Sequence, residues 1–262
     1  LLLEGIYFTA YNIQGAYPVF GNTLSAITFL FLILIPVLTM KTLAEERRQK
    51  TDQMLFTSPV SVENIVLGKY LALVTVYMIP VFVICFYPLI MSKYGTVSYA
   101  MAYTAILGFA FMGFAELSIG VFISSLTENP VIAAVVAFLV LFVCFMSEGI
   151  GSLVAETSVT SLVIYMVMVA AAAYLIYYMI KNVLIPLIIG LAGEIVLVVL
   201  YIVDSTRFEG SFQDFLTIFD ITSHFDNFTN GILDIQGLIY FLSIIVIFLF
   251  LTIQSIKKRR WS

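Results

Sequence analysis

Residues 100–126 read AMAYTAILGFAFMGFAELSIGVFISSL, an apolar run that contains one charged residue, Glu116. A helix needs about 20 mostly apolar residues to cross the hydrocarbon core of a bilayer. This run is long enough to do so. A carboxylate at such a depth is costly and usually faces the interior of a helix bundle or a wet cavity. The stretch therefore predicts a membrane-spanning helix that lies against other helices.

The whole chain shares the composition of this stretch. Of its 262 residues, 62% are hydrophobic and 11% are charged, whereas soluble domains are about 45–50% apolar and about 25% charged. A water-soluble fold of this size could not bury so much apolar surface, but lipid accepts exposed Leu, Ile and Phe. The composition therefore predicts an all-α, polytopic transmembrane helix bundle.

Seven further apolar runs accompany the first one. They lie at residues 1–8, 23–43, 65–91, 131–147, 161–180, 183–203 and 238–256. We interpret residues 1–8 as the tail of a truncated first span and residues 131–147 as a short fifth span. The chain then crosses the bilayer about eight times. Because no internal repeat or low-complexity linker divides it, we expect a single transmembrane permease domain over residues 1–262.

The basic residues set the orientation, because Lys and Arg stay on the cytoplasmic side of a membrane. If the basic C-terminal cluster at residues 257–260 lies inside, the loop at residues 41–69 lies inside too. Only Lys93 and Arg207 of the twelve basic residues then fall outside. We therefore predict a multi-pass protein of the bacterial cytoplasmic membrane with a cytoplasmic C terminus.

The extracytoplasmic loop at residues 204–237 is acidic and rich in phenylalanine. Phe208, Phe212, Phe215 and Phe219 recur at helical spacing along it. This pattern predicts an amphipathic helix that lies on the outer membrane surface.

The cytoplasmic loop at residues 44–64 combines dense charge with a short apolar patch. It begins with AEERR at residues 44–48, and Met54, Leu55 and Phe56 follow. A charged helix with a few apolar anchors at the membrane surface suits docking in a groove of another protein. An interfacial helix that rests on lipid headgroups fits the same pattern equally well.

Capping residues mark the starts of two predicted spans. Ser61 precedes the third span, and Asn129 precedes the fifth, where Pro130 suits the first helical position. The string that contains the second cap, TENP at residues 127–130, predicts a tight inner turn.

Three strings resemble one family. The loop string AEERR…TSPVS…IVLGKYLA, within residues 44–72, resembles the signature of type-two ABC exporter permeases, and most closely the gliding-motility-type ABC transporter permeases. Residues 120–134 resemble the family's turn between spans four and five, and residues 251–261 resemble its ending. Two positions depart from the signature. Lys50 stands where the family usually has Gly, and Gln53 where it usually has Glu.

The resemblance implies that the cytoplasmic loop is a coupling element, which contacts a separate ABC ATPase subunit and passes on its nucleotide-driven motion. Two permeases, as a homodimer or a heterodimer, and two ATPases would form the working unit. ATP and Mg would belong to the ATPase, and this chain would bind no cofactor. The residues that the resemblance marks as ATPase contacts are Glu45, Glu46, Arg47, Arg48, Met54, Leu55, Phe56, Thr127 and Glu128.

Glu116 and Glu194 each fall deep within a full-length predicted span and are candidates for lining a translocation path. The alternative for each is a neutral carboxyl group, or one that bonds to a Ser, Thr or Tyr of a neighbouring span. We expect Glu194 to lie closer to an interface than Glu116.

The sequence contains no Gly-x-x-x-x-Gly-Lys-(Ser/Thr) loop, no Gly-x-Ser-x-Gly elbow and no His-Glu-x-x-His string. We therefore predict no catalytic residue, no metal site and no nucleic-acid binding. The favoured function is the permease subunit of an ATP-binding-cassette exporter that moves an unidentified substrate. An ion-coupled secondary transporter and a non-transporting membrane scaffold of an assembly machine remain alternatives.

Overall fold

The computed structural model describes residues 2–15, 17–51, 60–180 and 184–260. Within these residues the chain forms helices and no strands, which confirms the prediction of an all-α, polytopic bundle. The chain divides into two compact units, which we call unit 1 (residues 1–144 and 221–262) and unit 2 (residues 145–220). The prediction of one permease domain over the whole chain stays a prediction.

The described residues form a series of α-helices along the chain. In chain order they are α1 (Leu2–Phe8), α2 (Phe20–Thr39), α3 (Ala44–Arg48), α4 (Val62–Ile84), α5 (Tyr87–Met91), α6 (Tyr99–Leu126), α7 (Pro130–Leu153), α8 (Ser158–Ile180), α9 (Leu184–Val203), α10 (Ser211–Thr217), α11 (Ser223–Thr229) and α12 (Ile235–Arg260). A π-helical segment, Thr9–Gln14, continues α1, and a 3-10 turn, Ser205–Phe208, follows α9.

Six helical stretches of the described chain are long and apolar enough to cross a membrane. They are Phe20–Arg48, Val62–Met91, Tyr99–Leu126, Pro130–Leu153, Pro186–Val203 and Ile235–Lys258. The predicted sixth span coincides with α8, which contains a shorter apolar helix, Ser158–Tyr174. The predicted first span contains only α1.

Helix α6 forms the core of unit 1, where it contacts α2, α4, α11 and α12. Three of its glycines allow this close approach. A Cβ atom built on Gly108 would lie 2.5 Å from the ring of Phe228, and one on Gly113 would lie 2.3 Å from the ring of Tyr77. At Gly120 the Cβ would lie 2.4 Å from Oγ1 of Thr39. All three neighbours therefore touch the backbone of α6 itself.

The fifth span is longer than predicted. Helix α7 continues beyond residue 147 through Glu148 and Gly149 and ends at Leu153. A glycine inside a helix costs only roughly 0.5–1 kcal/mol relative to alanine. That cost is too small to end a helix in which each following residue still gains a backbone hydrogen bond.

The predicted amphipathic helix of the 204–237 loop is divided into shorter pieces. Gly210, with φ of +70°, separates the 3-10 turn from α10, because this left-handed conformation interrupts a right-handed helix. The apolar side is nevertheless preserved. Phe208 and Phe212 are buried, and the ring of Tyr165 in α8 contacts Phe208, Phe212 and Phe215 at centroid distances of 6.3, 6.4 and 6.3 Å.

Candidate functional site

A single buried hydroxyl group fixes the start of α3. Oγ of Ser124, near the end of α6, accepts hydrogen bonds from the backbone nitrogens of Leu43 at 3.2 Å and Ala44 at 3.1 Å. It donates to the carbonyl oxygen of Met40 at 3.2 Å. The first amides of a helix lack partners within that helix, and Ser124, which is fully buried, supplies two of the missing acceptor bonds. The turn from α2 into α3 therefore rests on α6.

Arg47 joins the two segments that the sequence marked separately as ATPase contacts. Its guanidinium group pairs with the carboxylate of Glu128 at 2.8 Å and donates to the carbonyl oxygen of Ser125 at 3.1 Å. Glu128 belongs to the turn at residues 127–130, directly after α6. The structure thus brings α3 and this turn together at one end of unit 1.

Two further ion pairs connect the same end of unit 1. Glu46 of α3 pairs with Lys69 of α4, and Nζ of Lys69 also donates to the carbonyl oxygen of Thr42 at 2.8 Å. Glu63, in the first turn of α4, pairs with Lys257 of α12. Since Lys257 begins the basic C-terminal cluster, that cluster and α3 lie at the same end of the bundle, as the predicted orientation requires. Which end is cytoplasmic stays a prediction.

Helix α3 ends in a Schellman motif, which explains why the family signature usually has glycine where this chain has Lys50. The backbone nitrogen of Thr51 bonds to the carbonyl oxygen of Glu46 at 3.0 Å, and that of Lys50 bonds to Arg47 at 3.1 Å. These two bonds define the motif, which places the residue after the helix cap in the left-handed region. Lys50 has φ of +56°. Glycine adopts this conformation without the cost of about 1–2 kcal/mol that other residues incur, which accounts for the glycine usual in the signature.

The residues marked as ATPase contacts differ in their accessibility. The side chain of Arg47 is 16% exposed and lies against the bundle. Arg48 and Glu128 have side chains that are 62% and 69% exposed, and Arg48 pairs with Glu45 of its own helix at 2.9 Å. A partner approaching this end would therefore meet Arg48 and Glu128 first. The three apolar anchors of the predicted site lie outside the described residues: Met54, Leu55 and Phe56.

The predicted helix caps are confirmed. Oδ1 of Asn129 accepts a hydrogen bond from the backbone nitrogen of Val131 at 2.9 Å, and α7 begins at Pro130. Oγ1 of Thr127 accepts from the backbone nitrogen of Asn129 at 3.2 Å. At the start of α4, Oγ of Ser61 accepts from the amide of the third helical residue at 3.3 Å. These caps fix the ends of the connections that border the candidate site.

Glu116 lies inside unit 1 with 8% of its surface exposed. Its Oε2 has no hydrogen-bond partner among the described residues. Tyr77 is a neighbour of the kind expected to bond to it, but the hydroxyl of Tyr77 donates to the carbonyl oxygen of Phe109 at 2.9 Å instead. Oε2 therefore lacks the hydrogen bond to a neighbouring hydroxyl group that one alternative predicted for Glu116. The role of Glu116 in a translocation path stays a prediction.

Glu194 belongs to unit 2 and lies near the middle of α9. The expectation that it lies closer to an interface than Glu116 stays a prediction. It borders a groove of about 310 Å³ whose other walls include Ala170, Ala173 and Gly190. The two candidate path residues therefore lie in different units of the chain. A role of Glu194 in translocation stays a prediction.

Two residues of the candidate site, Ser124 and Lys69, were not predicted from the sequence. Both lie within strings that carried the family resemblance, but neither was assigned a contact. A pair of serines in the last turn of a span was the available signal for Ser124, because such hydroxyl groups can bond to backbone groups near helix ends. The partners of Ser124 lie about eighty positions away along the chain. No local pattern could have identified them.

Comparison with known families gives one match. The profile of a family described as ABC-2 family transporter protein matches residues 6–261, which include unit 2, nearly all of unit 1 and the whole candidate site. No curated protein and no solved structure matches the chain.

Proposed function

The chain belongs to the ABC-2 transporter family and is a membrane permease, and we propose that α3 and the turn at residues 127–130 are its docking site for a separate ATPase subunit. ATP hydrolysed by that subunit would drive export of a substrate across the bacterial cytoplasmic membrane. A second permease copy, identical or related, would complete the transporter.

The observation that carries this proposal is the ion pair between Arg47 and Glu128. It unites two segments that are far apart in the sequence into one polar surface at an end of the bundle. The exposed side chains of that surface, Arg48 and Glu128, carry opposite charges. Charged groups at the rim of an interface steer association and set its register more than they add affinity.

The contacts beneath this surface support a role in passing on motion. Ser124 connects α3 to α6, and the pair of Glu46 with Lys69 connects α3 to α4. The pair of Glu63 with Lys257 continues the connection to α12. A displacement of α3 by a partner would therefore act on three long helices at once.

Charge reversal at Arg48 tests the docking site. Arg48→Glu should lower the amount of ATPase that co-purifies with the permease by about tenfold, the effect of about 1.4 kcal/mol. The free energy of unfolding of the permease should change little in this variant, because exposed substitutions usually shift stability by less than about 0.5 kcal/mol. Lys41→Glu is the matched control, since Lys41 is exposed and precedes α3.

Two results would contradict the assignment. One is an Arg48→Glu variant that retains its ATPase at the wild-type level. The other is an equal loss in Lys41→Glu, which would indicate a general effect of negative charge at this end of the bundle.

The unpartnered Oε2 of Glu116 favours a second candidate function, ion-coupled secondary transport. A proton carried by this carboxyl group would enter proteoliposomes along a pH gradient in the absence of ATP, and Glu116→Gln would abolish that flux. Transport that requires ATP and is unchanged in Glu116→Gln would exclude this candidate.

A further inference from the structure

A crevice of about 520 Å³ opens in unit 2 between α8, α9 and the segment that follows α9. Its apolar walls are formed by Tyr165, Leu197, Leu200, Val203 and Phe208. Its remaining lining is polar and comes from Asp204, Arg207 and Ser211. The volume lies within the range of about 300–1,000 Å³ that is usual for small-molecule sites.

The floor of the crevice is held in place by aromatic contacts. The hydroxyl of Tyr165 donates to the carbonyl oxygen of Ser211 at 2.9 Å. The rings of Tyr165 and Tyr201 meet the ring of Phe208 edge-on, at centroid distances of 6.3 and 5.6 Å. Because these rings fix one another, the crevice is preformed, and a ligand would not need to order it.

The rim presents a guanidinium group in a fixed position. Nε of Arg207 donates to Oδ2 of Asp204 at 2.8 Å, and the hydroxyl of Thr206 donates to Oδ1 at 2.6 Å. The bond from Thr206, with the contribution of Arg207, holds the pKa of Asp204 below its ordinary value. The ion pair uses Nε of Arg207, and its side chain is 83% exposed. Its terminal nitrogens are thus available to an incoming acceptor.

The sequence of α9 and the residues after it predicts where the crevice lies relative to the bilayer. The apolar helix α9 ends at Val203, and Asp204 is the first residue beyond it. We therefore expect Leu197 and Leu200 to lie at the level of the acyl chains. We expect Arg207 to lie in the headgroup layer, where long basic side chains extend towards water. A molecule that fits both parts has an apolar chain and an anionic head.

We propose that this crevice binds a phospholipid, with one acyl chain against Leu197, Leu200 and the ring of Tyr165, and with the phosphate on the guanidinium of Arg207. Arginine suits this role because its planar fork matches the oxygens of a phosphate. The site belongs to unit 2 alone and requires neither ATP nor the ATPase. Its test is therefore independent of the proposed coupling function.

Photo-crosslinking of the full chain in nanodiscs tests the proposal. The probe is a phosphatidylglycerol that carries a diazirine on one acyl chain, and labelled peptides are mapped by mass spectrometry. Wild-type protein should be labelled at residues 197–208. Arg207→Gln should lower this labelling by about tenfold, the order expected for the loss of one charge-assisted hydrogen bond. Leu200→Trp, which fills the crevice, should abolish the labelling while Arg207 is intact.

The controls distinguish the contribution of the lipid phosphate from that of the acyl chain and from a general effect of positive charge on the protein. Lys93→Gln removes another exposed basic residue and should leave the labelling unchanged. A diazirine diacylglycerol, which lacks the phosphate, should label wild-type protein only as strongly as phosphatidylglycerol labels Arg207→Gln.

Three outcomes would overturn the proposal. The first is labelling of Arg207→Gln at the wild-type level, and the second is an equal loss of labelling in Lys93→Gln. Labelling erased by inorganic phosphate would assign the site to a soluble anion. Labelling is compared only among variants whose melting temperature equals that of the wild type. If Leu200→Trp fails to fold, the exposed substitution Arg207→Gln decides the result.

Discussion

Replacing Ser124 by alanine should loosen α3 from the bundle. The substitution removes the acceptor for two backbone amides, those of Leu43 and Ala44, and the donor to Met40. A buried amide without a partner costs about 1–3 kcal/mol. We expect a total loss of about 2–4 kcal/mol in the free energy of opening α3, because water at the membrane surface relieves part of the cost of the two amides.

Hydrogen exchange of the reconstituted protein measures this loss directly, since protected amides exchange through local opening. A loss of 2 kcal/mol or more should accelerate exchange at Leu43 and Ala44 by at least about 30-fold. The matched control is Ser125→Ala. Ser125 is as deeply buried as Ser124, but its hydroxyl donates to Phe122 of its own helix. Exchange in Ser124→Ala that is no faster than in Ser125→Ala would refute the reasoning.

Other substitutions probe packing, the helix end and the cap. Gly113→Ala should destabilise unit 1 by about 1–3 kcal/mol through overpacking against Tyr77. Its control, Gly149→Ala, has no atom near the new Cβ position and should not lower the stability. The midpoints of detergent denaturation compare the two variants. Lys50→Gly should slow trypsin cleavage at the basic residues of α3 in the folded protein, because it relieves up to about 1–2 kcal/mol of left-handed backbone strain. Unchanged cleavage at those residues would count against the Schellman assignment. Asn129→Ala should lower stability by about 0.5–2 kcal/mol through the lost cap of α7, measured as the shift in thermal midpoint, and an unshifted midpoint would show that the cap is dispensable.

The helical content and the spans were predictable because lipid imposes a simple condition on sequence. Each span must be apolar for most of its length, and breaks such as the turn at residues 127–130 are marked by caps that act locally. The same local rules identified Asn129 and Pro130 correctly. The end of α7 was misjudged because the predicted span stopped at residue 147, whereas α7 continues through Gly149 and Gly151 to Leu153. Glycine only weakens a helix and does not end it.

The candidate site was only partly predictable, for a related reason. The charges of α3 and of the turn at residues 127–130 were recognised one segment at a time, but the pairing of Arg47 with Glu128 depends on how the helices meet. The pattern of charges likewise could not separate the bundle-facing Arg47 from the exposed Arg48. Both are arginines in the same short helix, and only the position of α6 distinguishes them.

The three glycine contacts along α6 have a mechanical consequence. Thr39, Tyr77 and Phe228 touch its backbone at successive levels, so the helix can neither slide lengthwise nor rotate about its axis without forcing these neighbours aside. From Ser124 to Gly108 the helix extends about 24 Å at 1.5 Å per residue. A displacement of α6 at Ser124 would therefore also displace Thr39, Tyr77 and Phe228, and through them α2, α4 and α11.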